Sequence, residues 1–271
     1  MSARRFQVLV LDVELTSAAP ELMDVAQFLV QHARQPVATQ RRVAVAIDRR
    51  ERGYAVSIDG VAIDQAPTPQ AVLQTVFAAL QGRLLGSFPD HALVRGAVVS
   101  IGPVRTLLIG EPGCGLSSLA VKALYARHRV EGDAFALLGP EGVTPLPRRF
   151  VLREGTARLL PEVELHRLPT TPSGDGVISG LDPTEVGFDW EIGSGAIDAC
   201  VWVEANHGAP SRLTTCSHIE IVRRLMSRCS PPPAGGRDWL QHAVRMTAKA
   251  HSLRLQLGRL DEAVAHLERD L

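Results

Sequence analysis

Lysine is almost missing from this chain of 271 residues: Lys122 and Lys249 stand alone among 29 basic residues, and the rest are arginines. A phosphate site in need of a lysine therefore has little to draw on. Cysteine pairs in C-x-x-C spacing are missing too. Cys114, Cys200, Cys216 and Cys229 stand apart, which argues against a disulfide framework and for a reduced, cytoplasmic setting. Cys216-x-His218 has the spacing of half a metal site, but no second half accompanies it, so a metal-free pair is the reading. Net charge is zero, with 29 basic and 29 acidic residues, so no bulk field draws the chain to nucleic acid or to an anionic membrane. No apolar run approaches the roughly 18 residues that span a bilayer. Near the start, Asp12 and Glu14 interrupt an apolar run that lacks a small-residue cleavage site, which reads as a strand and not a signal peptide.

What is present begins with a 45% hydrophobic content, enough for one large globular domain or two modest ones. The chain is organised around VRTLLIGEPGCGLSSLAVK, residues 104–122. A short apolar run leads into the glycine-rich Gly110-Glu-Pro-Gly-Cys-Gly115, and Ser117 and Ser118 open a helix-forming stretch. That order of strand, loop and helix is the pattern of a P-loop, where backbone N–H groups and a helix N-terminus hold phosphate. The spacing G-x-x-x-x-G-K-[ST] fits at Gly110, Gly115 and Ser117, with Leu116 in the lysine position, a degenerate Walker A motif.

In chain order, residues 6–15 read as one strand. Leu22, Val25, Ala26 and Leu29 recur at helical spacing over 20–33, with Ser17 placed to cap. Strands over 42–47 and 53–58 flank a charged hairpin loop, and Asp59-Gly60 turns the chain into a third strand at 61–63. Thr68-Pro69 predicts the start of a helix reaching about residue 85, with Val72, Val76, Ala79 and Leu80 on one face. Residues 1–86 are thus expected as a small N-terminal α/β lobe. The P-loop domain is expected over 87–230, with strands at 92–101, 104–109 and 129–138 and a helix from the loop to about 128; Pro145-Leu-Pro147 breaks any helix and leads into 148–153. Pro, Gly, Thr and Ser crowd 154–181 and predict a mobile surface loop. An apolar strand at 197–204 ends in Glu204, and a helix follows over 218–229. Residues 230–236 read as a linker. The C-terminal segment, 231–271, is expected to be helical, with Leu253, Leu257, Leu260, Val264 and Leu267 as its packing stripe.

Residues 93–138, LVRGAVVSIGPVRTLLIGEPGCGLSSLAVKALYARHRVEGDAFALL, resemble the core of bacterial HPr kinase and its shorter HPr-kinase-like relatives. GVTPLPRRFVLREG at 142–155 is similar to the family's proline-and-basic segment, and 182–226 are similar to its later strand and helix. The resemblance covers about 90–229 and implies a fold. That fold is an α/β P-loop domain of the HPr kinase C-terminal type, a mixed sheet with flanking helices, beside the small N-terminal lobe. It also implies ATP and Mg²⁺ as cofactors, a protein or peptide partner phosphorylated on serine, and homo-oligomeric assembly. On matched positions it implies that Gly110, Gly113, Cys114, Gly115, Leu116, Ser117 and Ser118 hold the nucleotide. Ser117 and Asp133 would ligate the metal, and Asp133 and Arg95 take the catalytic positions.

Three matched positions depart together. Leu116 replaces the lysine, Ala134 replaces one acid of the family's pair, and Arg95 replaces its histidine with a permanent cation. Loss of one preorganised charge clamp costs on the order of 2.7–4 kcal/mol in the transition state. The joint loss predicts a degenerate member, a pseudokinase with weak or absent phosphotransfer that acts by binding a protein or peptide. The alternative is an active atypical ATP-dependent serine kinase in which Arg95 turns to the phosphates and Asp133 serves as base. A third reading is an assembly protein whose terminal helix builds an oligomer. Lys122, one to two turns into the helix, is expected to point away from the phosphates. Asp198, Glu204 and His207 read as structural. Cys114 reads as a small filler, although a thiol at a helix N-terminus is open to a lowered pKa, and Ser117 and Ser118 are candidate helix caps.

Overall fold

The computed structural model describes residues 2–19, 22, 27–35, 41–164, 167–173, 176–232 and 237–271. It is a mixed α/β architecture with several sheets and helices. β1 (Ser2–Val8) and β2 (Leu11–Ser17) pair antiparallel across a turn at Leu9, whose φ is 52°. The single strand expected over 6–15 is therefore a hairpin; Leu9-Val10 contains no glycine, proline or asparagine to mark its turn. β3 (Arg41–Arg50) runs parallel to β2, and β4 (Gly53–Ile58) and β5 (Val61–Ala66) complete a five-stranded sheet in chain order. Leu11, Val13, Leu15, Val43, Val45, Val56 and Ile58 are buried, the alternation a half-covered sheet requires. Of the helix expected over 20–33, residues 20, 21 and 23–26 lie outside the described residues; Leu22 and Gln27 are helical, but 28–33 are turn and irregular backbone, so the helix does not reach 33. Ser17 itself accepts a hydrogen bond from the Ala19 amide and donates to the Ile47 carbonyl. α1 (Pro69–Ser87) packs on β4 and β5. It begins as expected: the Thr68 hydroxyl accepts from the Ala71 amide at 3.2 Å, and Pro69 sits where no donor is needed.

The second half is built on short strands that change sheet. β6 (Ala92–Val94) and β7 (Gly96–Ile101) join different sheets, so the strand expected over 92–101 breaks at Arg95. β8 (Val104–Gly110) leads into the glycine loop and then α2 (Leu116–Tyr125), which ends a little before the expected residue 128. The strand expected over 129–138 also divides, into β9 (Arg129–Gly132) and β10 (Ala136–Gly139). Between them Ala134 takes a φ of 73°. β11 (Gly142–Pro145) and β12 (Phe150–Arg153) follow. The stretch expected as a mobile loop instead holds a turn of 3₁₀ helix (Glu154–Arg158) and an antiparallel pair, β13 (Thr170–Ser173) with β14 (Gly176–Leu181).

β15 (Ala199–Ala205), β16 (Arg212–Thr215), α3 (His218–Met226) and the short β17 (Cys229–Ser230) come next. The expected linker at 230–236 lies partly outside the described residues. The final segment corrects a helical expectation: between α4 (Asp238–Lys249) and α5 (Leu260–Asp270) lies β18 (His251–Leu257). β18 runs parallel to β15 inside a six-stranded sheet of order β16-β18-β15-β8-β7-β9. Leu253 and Leu257 match helical spacing, but Leu255 between them is buried as well, which is the alternation of a strand.

The faces of this sheet follow from a period of two. Val98, Leu107, Ile109, Cys200 and Trp202 pack with Ile221 and Leu225 of α3 and Ala243 and Met246 of α4. Their chain neighbours Ala97, Val99, Leu108, Val201 and Val203 pack with α2 and α5 on the other side. No helix among the described residues is long and apolar enough to cross a membrane.

Candidate functional site

The glycine loop leaves β8 at the middle of the central sheet and enters α2. Its glycines are required locally. A Cβ on Gly110 would lie 2.6 Å from Cys114 Sγ and 2.7 Å from the Val203 carbonyl oxygen. Gly113 and Gly115 have φ of 85° and 99°, left-handed values that other side chains rarely adopt. Gly115 also occupies the N-cap position, with no side chain to cap the helix, so Ser117 and Ser118 lie inside the first turn and do not cap it. First-turn amides have no intrahelical acceptor and face outward toward whatever occupies the loop. Cys114 turns under the loop and is buried, and that burial pushes its thiol pKa up. A thiol lowered by the helix N-terminus is not what this arrangement produces.

Above the loop is a cleft of about 350 Å³. It is lined by Gly110, Gly113, Gly115, Leu116, Ser117 and Ser118 from the loop, and by Arg95, Asp133, Phe135, Arg148 and Arg153 from other elements. The breaks in the two expected strands account for two of these contributions. Arg95 stands where β6 gives way to β7, and Asp133 where β9 gives way to β10. Asp133 is 3% exposed, and its Oδ1 is buried with no hydrogen-bond partner among the described residues. Burial raises its pKa; the Ser117 hydroxyl and the nearby Arg148 charge pull the other way without prevailing.

Arg148 and Arg153 were not singled out from the sequence. Arg148 follows Pro147 and reaches the cleft with its guanidinium 4.6 Å from the Phe77 ring centroid and 5.9 Å from that of Phe135. Its Nε is enclosed and has no hydrogen-bond partner among the described residues. Arg95 lies over the other partner of this stack, 5.3 Å from the Phe135 centroid. The signal for Arg148 was the PLPRRF segment, where proline ends an element and two arginines follow. Nothing in that segment says which arginine turns to the cleft. Phe77 belongs to α1, so a helix from the first third of the chain backs the Arg148 side chain.

The rim is tied by an ion pair, Arg228 to Glu111 at 2.8 Å, while the Arg228 carbonyl accepts from the Arg95 amide. Lys122 points away, toward Glu162 at 3.0 Å and Asp261 at 2.6 Å. Glu204 is held by Trp202 and Arg254, and Asp198 accepts from the Arg105 amide, so both are engaged in structure away from the cleft. His207 is exposed on a turn. The group of metal-binding residue types brought together among the described residues is His32, Asp182 and Glu185. It includes neither Cys216 nor His218, and its Glu185 carboxylate is already gripped at both oxygens by Arg149.

Magnesium is usually held by one or two carboxylates together with substrate phosphates and water. Here Ala134 stands beside Asp133 in place of a second acid, and Glu111 is paired with Arg228. Burial favours the uncharged form of Asp133, and Arg148 stands close enough to oppose a second cation. Ser117 and Asp133 supply one hydroxyl and one carboxylate, so by themselves they are a sparse donor set for a dication held without phosphates.

No protein-family model matches the chain, and no curated protein sequence is similar to it. Among solved structures, the HPr(Ser) kinase/phosphatase of Coxiella burnetii resembles it at 10% identity with a TM-score of 0.29, over 65% of this chain and 95% of that one. The resemblance is weak and says nothing about which residues of this chain act.

Proposed function

We propose that this chain is a degenerate HPr-kinase-like P-loop protein. Its loop binds the phosphates of a nucleotide such as ATP, its phosphotransfer is weak or absent, and it acts by binding a protein or peptide partner. The observation that carries this reading is the glycine loop opening onto a cleft that holds three arginines and two acids, one of them the rim Glu111 paired with Arg228, with Leu116 in place of the lysine. The loop supports phosphate binding through its backbone and the first turn of α2. The missing lysine and missing second acid remove charge that phosphoryl transfer needs in the transition state. Calorimetric titration with ADP and ATP, paired with a phosphoserine assay on candidate carrier proteins, tests it. Saturable nucleotide binding without phosphoserine is expected; stoichiometric transfer from ATP would overturn the pseudokinase reading.

A second reading is favoured by one observation. Asp133 is buried against Ser117 with a raised pKa, which suits a general base. An active atypical serine kinase would use Asp133 as base and Arg95 as the phosphate cation. It predicts phosphoserine formation that disappears in Asp133→Asn; no phosphoserine from the wild-type protein ends it.

A further inference from the structure

Two arginines and a buried acid face the cleft in an incomplete state. Asp133 is 3% exposed with Oδ1 unpartnered, and Arg148 has an enclosed, unpartnered Nε. Arg148 and Arg95 lie near enough for their like charges to oppose each other, with Asp133 the neighbouring acid that offsets Arg148. Buried polar groups are nearly always paired in a folded protein, so unpaired ones lining a cleft mark where a ligand completes the set. Unpaired guanidinium donors match the oxygens of phosphate.

We propose that Arg148 and Arg95 together replace both the loop lysine and the divalent cation, so that the cleft binds a nucleoside diphosphate with no metal ion. This rests on the phosphate-binding reading above and assigns its charge partners. Arg148 is held for the task from behind. Its guanidinium is stacked on Phe77 and Phe135, so it pays little rotamer entropy when a phosphate arrives. Arg95, exposed at the junction of β6 and β7, lines the same cleft with its guanidinium 5.3 Å from the Phe135 centroid. A free diphosphate carries its full negative charge and meets these two cations directly, whereas its magnesium complex presents them with a reduced one.

Calorimetric titration of the full chain with ADP, in excess EDTA and in excess MgCl₂, tests the proposal. Binding in EDTA at least as tight as in MgCl₂ is expected. Arg148→Gln is expected to weaken it by about 10- to 100-fold, the loss of a charged hydrogen bond. Arg95→Gln, at an exposed position, gives a measurement that does not depend on the folding of the Arg148 variant and should weaken binding in the same direction. Adding Leu116→Lys to either variant should recover affinity, since it returns a cation to the loop. Binding that requires MgCl₂ would overturn the metal-free proposal and leave the nucleotide reading standing. Metal-free binding indifferent to both arginine substitutions would overturn the assignment of the charge partners. No ADP binding in either condition would overturn the phosphate reading itself, and this proposal with it.

Discussion

Two neighbouring arginines, Arg148 and Arg149, leave the chain at the entry to β12 for different surroundings. Arg149 is 4% exposed at its side chain, and its guanidinium is fully engaged. Its Nε donates to the carbonyls of Gln27 and Val30 at 2.8 and 2.9 Å, and its two terminal nitrogens each reach Glu185 at 2.6 Å. Arg148 has an enclosed Nε without a partner, two aromatic faces against it, and a cleft in front. The first arginine ties the backbone at Gln27 and Val30 to the loop after β14. The second turns toward the cleft beside Asp133. The same residue type in the same short motif is structural where its nitrogens are bonded within the chain and cleft-facing where one is not.

The largest effect that would test this contrast is on stability. Arg149→Leu strands three backbone carbonyls, of Gln27, Val30 and Gly180, and the partly exposed Glu185 carboxylate, and should cost about 2–4 kcal/mol of unfolding free energy in urea melts. ADP affinity of the folded protein should be unchanged. A cost under about 1 kcal/mol would remove the distinction between the two arginines. Arg148→Met keeps an unbranched stem between Phe77 and Phe135. It loses cation–π contacts worth about 0.5–2 kcal/mol but also removes an unsatisfied donor costing about 1–3 kcal/mol. Stability should therefore stay within about 1 kcal/mol of wild type in the same melts; a larger loss would make Arg148 a second structural tie.

The acids facing these arginines carry the contrast into pH. Hydrogen bonds from Arg149 hold Glu185 below its ordinary value of 4.5. Its stabilisation is present above that value and is lost as pH falls through the lower folded pKa. Burial holds Asp133 above its ordinary 3.8, so the folded state keeps that proton more tightly. Its contribution is fully present below 3.8 and is lost as pH rises through the raised folded pKa. Thermal melts across the acid range should show a shallower acid limb in Arg149→Leu and a smaller decline with rising pH in Asp133→Asn. Superimposable profiles for the three proteins would show that neither acid is coupled to folding as described.

The smallest effect concerns how Asp133 is aimed. The left-handed φ of 73° at Ala134 costs about 1–2 kcal/mol, and glycine would relieve that at about 0.4–1 kcal/mol of added chain flexibility. Ala134→Gly should stabilise by about 0.5 kcal/mol in urea melts without changing ADP affinity. A destabilised variant would mean that the Ala134 methyl packs against the cleft wall.

Local signals decided what the sequence determined by itself. Gly110, Gly113 and Gly115 at their spacing placed a strand, loop and helix, because only glycine tolerates those backbone angles and close approaches. Thr68-Pro69 placed the start of α1, because a cap and a missing donor act within one turn. Leu116, Ser117, Asp133 and Arg95 were readable as occupants of one cleft, and Lys122 as pointing away. The tertiary structure alone decided the rest, because the deciding contacts are distant in the chain. β18 is a strand because the exposed edge of β15 accepts it, although its leucines also fit a helix. The breaks at Arg95 and Asp133 exist because β6 and β10 pair in one sheet while β7 and β9 pair in another. Whether Arg148 or Arg149 faces the cleft depends on where Gln27, Val30, Phe77 and Glu185 come to lie, and no short-range rule of propensity or spacing contains that information.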